Sequence, residues 1–412
     1  MLKGISRAGF SLGWTLIGLL VVLPDAAKAQ NDYLPLHRQA LVIDLHNDAI
    51  YRHLQGQNIE TYYGPGQFDL IKMKKGGLDV PFFALWPDPS KIKQHSMFEQ
   101  TRTMLDSLMA VIERHPQIVQ LAVSPEDIET IVQSGRHAAC IGIEGGTVLE
   151  NNLQNLDYFY RRGVRYLGLT WNDSPDWATS AKDETEGRFA ARKGLTEFGR
   201  QVIQKMNELG MMIDLAHAGE QTFYDVIRHS RHPVIVSHAA VYALCPHFRN
   251  LNDEQIQALA KNGGVMGITF YPGYLVPRFD AIYKESRRRA DQIEDSLKNS
   301  GSENVFDRAA FIRGHIDPVY PSVATVVDHI EYVIKLVGED HVALGSDYSG
   351  ISIAPAGLED VSKLPSITKE LQRRGYSTAT INKILGGNVM RVFRQVSVAY
   401  PKEIPENKDD SP

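Results

Sequence analysis

Eight short apolar runs recur along the chain, separated by longer stretches with helical spacing. They are VIDLH (42–46), VPFFALW (80–86), HAACIGIEG (137–145), VRYLGLTW (164–171), MMIDLAH (211–217), PVIVSH (233–238), GVMGITFY (264–271) and HVALGSDY (341–348). Each is hydrophobic almost throughout, the pattern of parallel strands covered on both faces. Between them lie segments such as EFGRQVIQKMNEL (197–209), which puts Val202, Ile203, Met206 and Leu209 on one helical face. Strand–helix alternation repeated eight times predicts an α/β fold, a (β/α)8 barrel of the TIM type. An open doubly wound sheet usually carries a Gly-rich phosphate turn after its first strand, and none follows VIDLH.

The first thirty residues stand apart. Lys3 and Arg7 precede an apolar run, and Ala27-Lys28-Ala29 forms an A-x-A cleavage pattern before Gln30. This predicts a signal peptide over 1–29 and an exported protein, periplasmic or secreted. The run is closed by Pro24, short of the roughly 20 residues a membrane span needs. The polar tail PKEIPENKDDSP is neither a second anchor nor a lipid-anchor signal, so no stable membrane anchor is expected after cleavage. Residues 30–412 read as a single barrel domain, and 43% hydrophobic content is enough for a large core. The net charge of −5 argues against a nucleic-acid partner, which needs a concentrated basic surface. Cys140 sits inside an apolar run, so it and Cys245 are read as buried thiols, not a disulfide.

One stretch breaks the alternation. Residues 276–318, between the seventh and eighth runs, are charged and helical in character. They read as an insertion above the barrel mouth, a candidate lid or homodimer contact. Arg287, Arg288 and Arg289 are flanked by acidic residues and read as a solvated face.

Chemistry in a barrel sits where the strands end. Those ends carry His46 and Asp48, Glu144, Trp171, His217, His238, Tyr271 and Asp347. Metal-ligand types occur at five of the eight ends. Residues two apart in extended backbone project to the same side, so His46 and Asp48 can grip one ion. His217 and His238 end separate strands, and imidazoles with carboxylate oxygen suit zinc. Glu144 has two oxygens and can bridge two ions about 3.5–4 Å apart, which would ionise a shared water near neutral pH. Each residue alone has a plainer reading: Asp48, Glu144 or Asp347 as a helix cap, and each His as a hydrogen-bonded structural group. Five such coincidences at one mouth are less economical than one metal site. Asp44, two residues before His46, is placed either to orient it or to cap locally.

At this point the chain resembles the membrane (renal) dipeptidases, zinc dipeptidases on an amidohydrolase-type barrel. The resemblance runs through DLHND, GIEGG, GVRYLGLT, IVSH, CPHFRN, LGSDYSG and GLEDVSKLPSITKELQRRG, in that order, across nearly all of the chain after the leader. It implies two Zn2+ per chain: His46 and Asp48 on the first, His217 and His238 on the second, and Glu144 bridging. It implies Asp347 as the acid/base residue beside the bridging water, which passes a proton to the leaving amine. It implies Arg249 as the group that binds the substrate's terminal carboxylate, for which a planar guanidinium is matched. Tyr274 aligns with a substrate-pocket tyrosine. The expected substrates are small dipeptides with a free C-terminal carboxylate, C-terminal D-residues included, and some family members also open β-lactam rings.

Three departures stand out. The family commonly ends its fourth strand L-T-H, where the His polarises the scissile carbonyl; here Trp171 takes that place, followed by Asn172. Thr147 stands where the mammalian form has His, and the charged insertion is absent from the mammalian proteins. Two other readings remain at this stage. One is a related barrel metallohydrolase acting on another amide, lactam or lactone, disfavoured because those usually begin with H-x-H. The other is a metal- or peptide-binding relative without catalysis.

Overall fold

The computed structural model describes residues 33–189, 193–299 and 306–397. The segment read as a signal peptide lies outside them. No helix among the described residues is long and apolar enough to cross a membrane.

The strands are β1 (Ile43–Asn47), β2 (Val80–Leu85), β3 (Val119–Leu121), β4 (His137–Glu144), β5 (Val164–Gly168), β6 (Met212–Asp214), β7 (Ile235–Ala239), β8 (Val265–Ile268) and β9 (Val342–Leu344). All eight apolar runs are strands, and they follow one another in the order β1-β2-β4-β5-β6-β7-β8-β9, each pair parallel. The result is a nearly closed eight-stranded barrel jacketed by helices. The sequence reading passed over β3, which pairs with the start of β4 at Val119 and His137, off the ring. Its middle residue, Gln120, is exposed, so it carries no apolar run to read.

Between β9 and β1 the backbone pairing shrinks to one bridge, Asn47 with Tyr348. A side chain closes the seam instead. Asp44 accepts Ser346 N–H through Oδ1 and Ser346 Oγ–H through Oδ2, both at 2.6 Å. Asp214 on β6 holds Ser237 on β7 the same way, at 2.8 and 2.6 Å. Both aspartates are fully buried, where an unpaired carboxylate would be costly, so each clasp satisfies the charge that it fixes in place.

Inside the ring, Leu45, Phe82, Cys140, Tyr166, Met212 and Val265 pack as one apolar cluster with Val389, Met390 and Phe393 of the helix Asn388–Ser397. Tyr166 needs room there, and Gly142 on β4 supplies it, since any Cβ at that position would overlap the phenol ring. The helix Glu197–Leu209 buries Val202, Ile203, Met206 and Leu209 as its spacing predicts. Thr196 caps its start and Gly210, at φ 71°, ends it. Cys140 and Cys245 are separate buried thiols.

The charged stretch forms two helices, Phe279–Asn299 and Arg308–Ile316, which pack on each other. Tyr271, just past β8, donates to Asp280 at 2.7 Å and so ties the first helix to the rim of the mouth. Arg288 and Arg289 pair with Glu285 on the exposed face, as the flanking acids suggested.

Candidate metal centre

The ends of the strands converge on a cavity of about 480 Å³. Asp48, Glu144, Trp171, Asn172, His217, His238, Tyr271, Tyr274 and Asp347 all line it. The geometry removes two of the plainer readings. Asp48 starts the helix Ala49–Leu54 without any side-chain cap. The turn after Glu144 begins on Gly145, again without a side-chain cap.

The three histidines share one arrangement. His46 Nδ1 lies 3.1 Å from the Tyr166 hydroxyl, which itself donates to Leu45 O. His217 Nδ1 lies 3.2 Å from Asn172 Oδ1. His238 Nδ1 lies 2.9 Å from Ser237 Oγ, the hydroxyl held by Asp214. Each outer nitrogen is thus committed, and each Nε2 turns inward to Glu144. His217 Nε2 is 2.9 Å and His238 Nε2 3.4 Å from Glu144 Oε1, while His46 Nε2 is 3.6 Å from Oε2. His46 Nε2 is also 3.5 Å from Asp48 Oδ2 and is buried with no hydrogen-bond partner. Outer partners that fix ring orientation, with a second nitrogen left aimed at shared carboxylates, are the marks of a metal-ligand set.

The electrostatics agree at His217 and His238. Burial, then the nearby Arg249 charge, pushes His217 down to about 4, and burial pushes His238 well below the usual imidazole range. Both rings therefore offer lone pairs at neutral pH. Burial works to raise Glu144, but the neighbouring His46, then His217 and His238, outweigh it and hold the carboxylate well below its usual range. Burial and then the Asp48 charge push Asp347 well above the usual carboxylate range. His46, Glu144 and His238 form one group whose ligand atoms lie within 4.8 Å of one another, and His46, Asp48 and Asp347 form another. The two groups share His46, and imidazole with carboxylate donors in this arrangement fits divalent cations of the zinc class.

Residues 30–404 match the membrane dipeptidase family, peptidase family M19. The chain belongs to that family. It is a metallopeptidase of the membrane dipeptidase type. Among its relatives is Dipeptidase 3 of Rattus norvegicus, 29% identical over 387 residues, which are 92% of this chain and 70% of that protein. The probable dipeptidase PvdM from Pseudomonas aeruginosa has a TM-score of 0.72 at 26% identity, over 91% of this chain and 100% of that one. A metallo peptidase from Rhodobacter sphaeroides shares the fold with a TM-score of 0.69 at 23% identity, over 87% of this chain and 99% of that one.

Other residues singled out in the family pattern fall in different places. Tyr274 lies on the cavity wall, with the Arg249 guanidinium 5.4 Å from its ring centre. Arg249 sits behind that wall. It is 3% exposed, donates to His238 O at 3.2 Å and keeps Nε buried without a partner. Trp171 faces the cavity, 4.9 Å from the Trp86 ring and 6.3 Å from His217. Thr147 turns into a neighbouring depression with Glu150 and Trp177. Asp44 does not touch the His46 ring; it reaches β9 through Ser346.

Sequence reasoning missed Tyr51, Arg52 and Trp86, all on the cavity wall. Trp86 closes the second apolar run, so the same inspection of strand ends would have found it. Tyr51 and Arg52 begin one turn past Asp48 and carry no pattern of their own.

Proposed function

We propose that the chain hydrolyses the peptide bond of short dipeptides bearing a free C-terminal carboxylate, C-terminal D-residues among them, with two zinc ions. His46 and Asp48 would hold the first ion, His217 and His238 the second, and Glu144 both. The observation that carries this reading is the split of Glu144: one oxygen faces His46, and the other faces His217 and His238. When bound, such a pair of ions supplies a water ionised near neutral pH and polarises the amide carbonyl.

The chain's own residues do the rest. Asp347 lines the cavity, and burial and the Asp48 charge raise its proton affinity, which suits it to hand a proton to the leaving nitrogen. Asn172, through Oδ1, keeps His217 in register. Arg249 brings an unpaired guanidinium Nε next to the wall, a match for a terminal carboxylate. A carboxylate held there would have to lie one residue from the scissile bond, which favours dipeptides over longer peptides. Arg249 and Tyr274 belong to the β7–β8 side of the mouth. Tyr51, Trp86 and Trp171 form an aromatic chain on the opposite arc, with successive ring centres 4.9 Å apart. The N-terminal side chain of the substrate would lie on those rings, so bulky apolar residues are favoured there. The leader pattern at 1–29 supports export to the periplasm or medium.

The test is one assay on purified protein of known metal content, with and without a chelator. The metallo peptidase from Rhodobacter sphaeroides was solved liganded with a phosphinate mimic of the dipeptide L-Ala-D-Ala, and the panel of L-L and L-D dipeptides includes that pair. About two metals per chain and chelator-sensitive cleavage are expected. Two metals with no cleavage of any dipeptide would overturn the reading and point to another amide or ester.

A further inference from the structure

We propose that Gln67 and Arg52 are positioning residues that clamp Ser349 and thereby set Asp347 for proton transfer. The inference rests on the role given to Asp347 above.

Asp347 and Ser349 both adopt left-handed backbone, at φ 63° and 72°, although neither is glycine. Such conformations persist only where the surroundings over-determine them. At Ser349 the surroundings are two side chains from far away in sequence. Ser349 N–H donates to Gln67 Oε1 at 2.7 Å, and Arg52 Nε donates to Ser349 O at 2.7 Å. Both backbone polar groups of one strained residue are therefore held from outside its loop.

What the clamp holds is the turn that carries the carboxylate. Gly350 N and Ile351 N fold back onto Asp347 O, each at 3.1 Å. Gly350 lies so close to Asp48 Oδ2 and Asp347 Oδ1 that a Cβ would overlap both. A shift at Ser349 therefore moves Gly350, and Gly350 is in contact with both carboxylates.

The clamp is itself anchored. Gln67 O accepts from Val361 N at 2.9 Å. The turn before Gln67 is gathered by the buried Lys72 amine, which donates to the carbonyls of Tyr63, Gly64 and Gly66. Arg52 rides on the helix that starts directly after Asp48. The connection between β1 and β2 thus supports a turn that follows β9.

The test replaces the acceptor and then restores it. Gln67→Met removes the acceptor at similar volume and should lower kcat about tenfold or more with KM within about twofold. Gln67→Glu keeps an oxygen at the same reach and should hold kcat within about threefold of the parent. Arg52→Met approaches from the other side and should reproduce the fall in kcat, with metal content unchanged in every variant. Hydrogen exchange at residues 347–352 should quicken in both Met variants. An unchanged kcat in Gln67→Met overturns the proposal, as does equal damage in the Met and Glu variants or a loss that tracks metal content. Should the parent cleave no dipeptide, the functional reading fails separately. Exchange then decides alone: unchanged protection of 347–352 in Gln67→Met overturns the clamp, and faster exchange upholds it.

Discussion

Glu144 reaches His217 through one oxygen only: Oε1 stands 2.9 Å from His217 Nε2, and Oε2 is turned to His46. A carboxylate divided in this way joins two donor sets instead of serving one.

Replacement of Glu144 by Gln removes the charge and leaves the shape. Metal content should fall from about two ions to one or none, and kcat/KM should fall by more than about a hundredfold, ~3 kcal/mol of transition-state stabilisation. Full metal content in Glu144→Gln, measured by elemental analysis, would show that Glu144 does not hold both ions.

Gly350→Ala makes a second test, because the added methyl overlaps Asp48 Oδ2 and Asp347 Oδ1. The fold should survive, since the turn lies at the mouth and not in the core. Activity should drop on the order of a hundredfold with a modest fall in Tm. Activity near that of the parent would mean that the turn moves freely and that the carboxylate positions are not critical.

Trp86→Ala tests the aromatic arc. Its ring lies 4.9 Å from both Tyr51 and Trp171. The ratio of kcat/KM for an N-terminal Phe dipeptide over its Gly counterpart should fall about tenfold, ~1.4 kcal/mol, while the Gly substrate is little affected. An equal loss on both substrates would assign Trp86 to packing.

His329 gives a pH prediction away from the metal centre. Its Nδ1 accepts from Val241 N and its Nε2–H donates to Leu275 O, so the buried ring is neutral. Burial lowers its pKa from the ordinary 6.5 to about 4. The unfolded chain takes up a proton near 6.5 and the folded chain does not until about 4. Stability is therefore lost as pH falls through that window, and this group causes no further loss below it. From 6.5 to about 4, at roughly 1.4 kcal/mol for each pH unit, the loss is about 3 to 4 kcal/mol. His329→Gln should be less stable than the parent at pH 7, and the gap in Tm should narrow as pH approaches 4. A constant gap would show that His329 titrates normally.

The sequence made some of this legible for local reasons. A doubly buried strand must be apolar along its length, so all eight ring strands announced themselves, and polar ligand types at their ends pointed to one mouth. β3 escaped because it is short and exposed at Gln120. Two of the three outer partners of the histidines escaped because they are set by barrel closure, not by spacing; the third, Ser237, adjoins His238. Tyr166 meets His46 across 120 positions, and Asn172 meets His217 across 45. Arg249 was found by its motif, but its burial behind Tyr274 depends on a fold no local pattern states. The clasp from Asp44 to Ser346 was invisible for the same reason, although Asp44 itself drew notice.

That clasp has a consequence for biosynthesis. It joins positions 302 apart, and the same seam brings His46 of the first strand and Asp48 just after it against Asp347 beyond the last. A nascent chain that has not yet reached β9 can display His46, Asp48, Glu144, His217 and His238, yet it has neither the seam nor Asp347. Closure of the seam and the approach of Asp347 to His46 and Asp48 therefore wait on synthesis of the last strand, however much of the barrel has been made before it.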